Sequence, residues 1–251
     1  MKRIFRFLLG IALVGVASGD ELRLVSYNIK HGEGMDGKIV LNRIAAVISR
    51  LKPDLVALQE VDVDCARSGN VDIPAELGKL LRMQPQFSKS IELQGGAYGV
   101  AVLSKLPVLR AIRHPLPGDG EPRTALEVQV NAGKFAEILS FVSIHNDWRS
   151  EEVRLGQVNA VVHALQGRTH PIILAGDFNA ESTALSMQPF SVDPWCILDK
   201  KGSKTCPADA PESEIDFIVT RGMGAVEVTH EVVAEKLASD HRPIFAVIKK
   251  D

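Results

Sequence analysis

The chain has 251 residues, 45% of them apolar and 24% charged, with a formal charge of −2 at neutral pH. That length and composition exclude a disordered or fibrous chain and suit one large α/β domain, or two small ones, with a substantial core. The near-neutral balance also counts against a dedicated nucleic-acid binder, which carries a basic footprint.

The N-terminus stands apart. Lys2, Arg3 and Arg6 cap the apolar run Leu8–Ala17, and the small residues Ala17-Ser18-Gly19 follow. This is the build of a secretory signal peptide cleaved after Gly19, and the run is short for a membrane span. Residues 1–19 are therefore read as a leader and 20–251 as the folded domain. The mature chain is expected to be periplasmic or secreted, a monomer without a transmembrane segment. Of the 29 Lys and Arg, three lie in the leader, so residues 20–251 carry 26 against 31 Asp and Glu, a formal charge near −5. No stable nucleic-acid partner is implied, although a bound cation can screen a phosphodiester locally. Export permits disulfides. Of Cys65, Cys196 and Cys206, the last two are close in sequence and form the expected pair, three free thiols being the alternative.

The first strand is Leu22–Tyr27, which delivers Asn28. A Gly-rich loop leads to an amphipathic helix over 39–51, with Val40, Ile44, Val47, Ile48 and Leu51 on one face. Pro53-Asp54 stops it, and the buried strand Leu55–Gln59 delivers Glu60. Strand, helix and strand in this order predict a βαβ crossover with Asn28 and Glu60 at one sheet edge. A second helix is predicted over 72–82. From Gln86 to Val130 the pattern turns to strands, including Tyr98–Leu103, Val108–Ile112 and Ala125–Val130. His114–Arg123, with its prolines and glycines, reads as a surface loop.

Phe135–Ile144 is another strand, ending at His145, and a helix over 150–165 follows. Ile172–Gly176 then reads as a buried strand running into Asp177-Phe178-Asn179, a carboxylate and a carboxamide at its mouth. An Asp there can take a proton from water or bind a hard cation, while the plain alternative is a turn. Residues 180–214 form a long, partly irregular excursion. Asp216 falls inside the strand Ile215–Val219, where an acid needs a partner. Asp240-His241 precedes the terminal strand Ile244–Ile248.

Asn28, Glu60, His145, Asp177, Asn179, Asp216, Asp240 and His241 thus sit at or beside strand ends. The set is rich in oxygen ligands and imidazole and lacks a zinc pattern, which suits Mg²⁺, with Mn²⁺ as substitute. The absence of a Gly-x-Ser-x-Gly elbow and of a P-loop argues against a serine hydrolase or a nucleotide kinase.

Six motifs then occur in order: Tyr27-Asn28-Ile29, Leu58–Asp62, Tyr98-Gly99 with Leu103-Ser104, Gly176–Asn179, Ile215–Ile218 and Ser239–Pro243. In them the chain resembles the endonuclease/exonuclease/phosphatase superfamily over nearly all of residues 21–250. That group includes pancreatic-type deoxyribonucleases, abasic-site endonucleases, neutral sphingomyelinases and inositol-polyphosphate 5-phosphatases. The resemblance implies a four-layer α/β/β/α sandwich with two packed mixed sheets and a metal-dependent phosphoesterase cleft at the strand ends. It implies Glu60 as principal Mg²⁺ ligand, with Asn28 and Asp240 near the metal or phosphate. Asp177 would activate the attacking water and Asn179 would hold it or the transition-state oxygen. Asp216 would orient His241, His145 would be a second acid/base, and Arg123 would contact the phosphate.

Two departures accompany it. Deoxyribonucleases of this type support the first histidine with a carboxylate, and Gln94–Val100 contains none, which leaves Asp147 as a substitute or His145 unsupported. The helical insertions of abasic-site enzymes are not evident. The expected substrate is a small-molecule or lipid phosphoester. The alternatives are a secreted endonuclease and a non-catalytic binding module on the same fold.

Overall fold

The computed structural model describes residues 21–250, so the expected leader lies outside the described residues. The chain enters on β1 (Glu21–Asn28), with Leu22 and Leu24 on one face and Val25 and Tyr27 on the other, all buried. A strand apolar on both faces needs cover on both sides. One cover is α1 (Leu41–Leu51), which buries Ile44, Val47 and Ile48, each stabilising by about 1.5–3 kcal/mol. The helix stops where Lys52 turns left-handed ahead of Pro53. Next, β2 (Leu55–Val63) pairs parallel with β1, Asn28 opposite Gln59, so the predicted crossover forms.

The remaining elements are α2 (Ile73–Leu81), the hairpin β3 (Gln84–Leu93) and β4 (Gly96–Ser104), then β5 (Val108–Leu116), β6 (Arg123–Val130) and β7 (Leu139–His145). After these come α3 (Glu151–Leu165), β8 (Ile172–Asp177), β9 (Trp195–Ile197), β10 (Asp216–Arg221), β11 (Val226–Val232) and β12 (Ile244–Lys250). Two six-stranded mixed sheets result, ordered β11-β12-β1-β2-β4-β3 and β5-β6-β7-β8-β10-β9. Their inner faces share one core, in which Leu24, Ala57 and Val102 of the first sheet meet Val128, Phe141 and Ile173 of the second. The first two helices cover the outer face of one sheet. The third helix and a 3₁₀ turn at Leu185–Phe190 cover the other. This is the expected α/β/β/α sandwich. No helix among the described residues is long and apolar enough to cross a membrane.

Three readings need correction. The predicted His114–Arg123 loop shrinks to residues 117–122, because β5 continues to Leu116 and β6 begins at Arg123. β5 is an edge strand, a place where a sheet admits a proline such as Pro115. The edge strands β9 and β11 lie outside the predicted strands, and β3, within the strand region read from Gln86, has no separate signal, since these half-exposed sequences lack an apolar run. The excursion at 180–214 is partly irregular, as expected, with a 3₁₀ turn and the short β9 as its ordered parts. Phe190 packs edge-on against Phe178 (5.6 Å) and Trp195 (5.4 Å), and the buried Lys200 pairs with Glu214 at 2.7 Å. Finally, Cys65, Cys196 and Cys206 are all free. Strand β9 holds Cys196 opposite Thr220, whereas Cys206 bridges to Ser213 in a separate turn.

Candidate active site

The neighbouring strands β7 and β8 run parallel, so His145 lies opposite Asp177 in register. They can pass this closely only because residue 176 is glycine: a Cβ there would stand 1.9 Å from the Ile144 carbonyl oxygen. On the other side β10 runs antiparallel and sets Asp216 opposite Asp177. From the facing sheet come Asn28 at the end of β1 and Glu60 within β2. At Glu60 the β2–β4 register slips, and the residue takes a left-handed φ of 56°. A bulge of this kind re-aims a side chain.

These side chains converge on one carboxylate. Asn28 Nδ2 donates to Glu60 Oε1 and to Asp177 Oδ2, both at 3.1 Å. The other oxygen, Asp177 Oδ1, accepts from the Asn179 backbone N–H at 2.9 Å. Asn179 is itself left-handed (φ 51°), and its side chain donates to the Asn146 carbonyl at 3.1 Å. Two imidazoles, His145 and His241, each bring Nε2 to 3.6 Å from Asp177 Oδ2.

The two histidines are pushed in opposite directions, and their neighbours say why. His241 Nδ1 bonds Asp216 Oδ2 at 2.9 Å. Burial alone would depress this imidazole, but the carboxylates of Asp216 and Asp177 hold it well above the usual histidine range. His145 Nδ1 instead lies 2.8 Å from Arg123 Nη1. A guanidinium only donates, so Nδ1 accepts and the proton sits on Nε2. Burial first, then the charges of Arg123 and His241, push His145 well below the histidine range. It is a neutral donor aimed at Asp177.

Asp147 does not replace the missing supporting carboxylate. Its Oδ1 accepts from the backbone N–H groups of Arg149 (2.8 Å) and Ser150 (3.0 Å), where it shapes the entry to α3. Arg123 fills that place, buried and also paired with Glu121 at 3.1 Å. Asp240 stands half-buried beside the cluster, 3.7 Å from Lys30 Nζ, and its neighbour Ser239 ties the loop to the Asn28 carbonyl at 2.8 Å.

Burial raises the carboxyl of Glu60, the Asn28 bond offsets part of this, and the charge of Asp240 adds to the rise. Asp177 is pushed up to about 7, chiefly by burial and also by Asp216, against the pull of His241. These buried acids, offering oxygen donors, fit a hard divalent cation. Asp177, Asp216 and His241 also bring ligand atoms within 4.8 Å of one another.

The cluster opens into a cleft of about 330 Å³. Besides the residues read from sequence, its walls include Arg67, Ile91, Leu93, Tyr98, Glu121 and Trp148. Sequence reading missed these as site residues. Tyr98 lay in a quoted motif, and Trp148 follows the His145-Asn146-Asp147 strand end, a signal that was available. Glu121 stands two residues before Arg123, in the stretch that carries that arginine's resemblance, and for Arg67, Ile91 and Leu93 we find no comparable local signal.

A cleft of carboxylate, imidazole and carboxamide at the mouths of two stacked mixed sheets is the mark of the phosphoesterase and nuclease-like fold class. The chain belongs to the Endonuclease/Exonuclease/phosphatase family, whose model matches residues 25–241. Members of this family typically hydrolyse phosphate esters and depend on a divalent metal. Among solved structures, an endonuclease/exonuclease/phosphatase from Beutenbergia cavernae is 24% identical with a TM-score of 0.74, covering 91% of this chain and 71% of that one. The mannosyl-6-phosphatase Bt3783 of Bacteroides thetaiotaomicron is 18% identical with a TM-score of 0.72, covering 91% of this chain and all of that one (100%). TDP2 from Caenorhabditis elegans is 19% identical with a TM-score of 0.68, covering 92% and 74% respectively. At these identities the likeness is one of fold. No curated protein sequence matches the chain.

Proposed function

We propose that this protein is an exported, Mg²⁺-dependent phosphoesterase that hydrolyses a small-molecule or lipid phosphomonoester or phosphodiester by in-line attack of water. The observation that carries the reading is the ring of donors around Asp177 Oδ2: Asn28 at 3.1 Å and the two Nε2 atoms at 3.6 Å. Export rests on the leader-like residues 1–19.

Glu60, with Asn28 and Asp240, would hold the cation, Mn²⁺ serving as substitute. When bound, the cation neutralises charge on the phosphoryl oxygens. The chain's own residues supply the rest. Asp177, raised toward neutrality and held by the Asn179 N–H, takes the proton of the attacking water. Asn179 positions that water or the oxygen that gains charge. His241, kept cationic by Asp216, stabilises that charge or protonates the leaving oxygen. The second acid/base role expected of His145 narrows to that of a neutral Nε2–H donor, because Arg123 occupies its other nitrogen.

The test is a panel of a chromogenic monoester and diester, sphingomyelin, an inositol polyphosphate and plasmid DNA, with Mg²⁺ or with a chelator. Turnover that needs Mg²⁺ and disappears in Glu60→Ala is expected. Turnover indifferent to chelator and to Glu60→Ala would overturn the reading. DNA as the preferred substrate would move it to the endonuclease alternative.

A further inference from the structure

The cations around the cleft are already committed. Arg67 grips Asp62 through Nε and Nη2, both at 2.8 Å, and its guanidinium lies 5.3 Å from the Tyr98 ring centre. Arg123 divides its amino groups between His145 (2.8 Å) and Glu121 (3.1 Å). Lys30 faces Glu33 at 3.2 Å and Asp240 at 3.7 Å. A second or third phosphate entering this cleft would meet Glu60 and Glu121, and would have to share each arginine with the carboxylate it already pairs. Beyond the catalytic cluster the surface changes character. Ile91 and Leu93, two residues apart on β3 and so on one face, contribute an apolar wall. Trp148, between β7 and α3, lines the same cleft with 65% of its surface exposed. Arg149 lies 6.0 Å from the Trp148 ring centre and is held to Asp147 at 3.5 Å.

We propose that Trp148, with Ile91 and Leu93, forms the subsite for the organic group of the substrate, and that this group is a flat, uncharged ring attached to a single phosphoryl group. A rigid indole offers a broad stacking face. The two aliphatic side chains exclude water beside it. The paired arginines leave charge recognition to the reacting phosphoryl group alone. This rests on the phosphoesterase reading and narrows its substrate class.

Phosphonates test it, because their C–P bond is not hydrolysed and binding is read apart from turnover. Calorimetric titration in Mg²⁺ would compare 2-naphthylmethylphosphonate, methylphosphonate and inositol hexakisphosphate. The naphthyl compound is expected to bind at least tenfold tighter than the methyl compound. The ratio should fall below about threefold in Trp148→Ala and largely recover in Trp148→Phe, a loss of stacking rather than of fold. Equal affinities, no detectable binding of either phosphonate, a ratio unchanged in Trp148→Ala, or preference for the hexakisphosphate would each overturn the proposal. A Trp148-dependent ratio in a protein that turns over no ester would support the subsite while removing the catalytic reading. Mg²⁺-dependent turnover with a flat ratio would do the reverse.

Discussion

Arg123 and His145 show how one contact distributes chemistry between two similar side chains. Both imidazoles face the same oxygen of Asp177, yet one is backed by a carboxylate and the other by a guanidinium. Replacing Arg123 with Gln removes the charge that disfavours the imidazolium. An NMR titration of His145 should then move upward, and turnover should fall by roughly 100-fold as a fixed donor loses its orientation. An unmoved titration would show that Arg123 does not set the state of His145. For His241 the corresponding change is Asp216→Asn, expected to lower kcat by roughly 10²–10⁴-fold while circular dichroism stays native. Local chemistry singles out Asp216 as a buried acid needing a partner, although not that the partner is His241, whereas Arg123 reads as a surface-loop residue because Pro and Gly surround it.

At the scale of elements, the site depends on strands ending together and on one strand misbehaving. Glu60 sits at the β2 bulge with φ 56°, a conformation that disfavours every side chain with a Cβ. Glu60→Gly should therefore fold about 1 kcal/mol more stably than Glu60→Ala, and both should be inactive. Equal melting temperatures for the two variants would mean that the bulge carries no strain. The parallel β1–β2 pairing and α1 were legible because their apolar residues recur at the strand or helix period, a spacing that α3 shows only in its second half, at Val158, Val161 and Leu165. The bulge was not, since a one-residue register slip leaves the strand pattern intact on either side. The edge strand β11 escapes for a related reason: with one side in solvent, it needs no continuous apolar run.

Across the whole molecule, the two sheets stack over a single core and bring distant strand ends to one rim. Order and spacing of the six motifs made this arrangement legible through the family resemblance, since no local pattern says which sheet faces which. Away from the cleft, a buried cluster ties the second sheet together. Glu127 on β6 accepts from Arg168 through two bonds at 2.9 Å, lies 2.8 Å from His114 on β5, and accepts from Ser140 on β7 at 2.7 Å. Burial alone would raise its carboxyl, but these bonds hold it well below the usual carboxylate range. A carboxylate with a depressed folded pKa contributes its full stability above the unfolded value of 4.5 and loses it as pH falls toward the folded value. Glu127→Gln should cost roughly 3 kcal/mol at neutral pH and flatten the loss of stability below pH 4.5, read from denaturant melts at several pH values. Parallel acid limbs in the two proteins would contradict that assignment.

The central claim is that the strand ends form one catalytic cleft organised on Asp177. Its most direct test is the rate of phosphoester hydrolysis by the wild-type protein and by Asp177→Asn, measured with Mg²⁺ on the best ester of the panel. Asn keeps the size of the side chain and removes the proton acceptor. The account predicts Mg²⁺-dependent hydrolysis by the wild type and a loss of at least roughly 10²-fold in the variant, with folding preserved. A folded Asp177→Asn protein that hydrolyses the ester at the wild-type rate would contradict it.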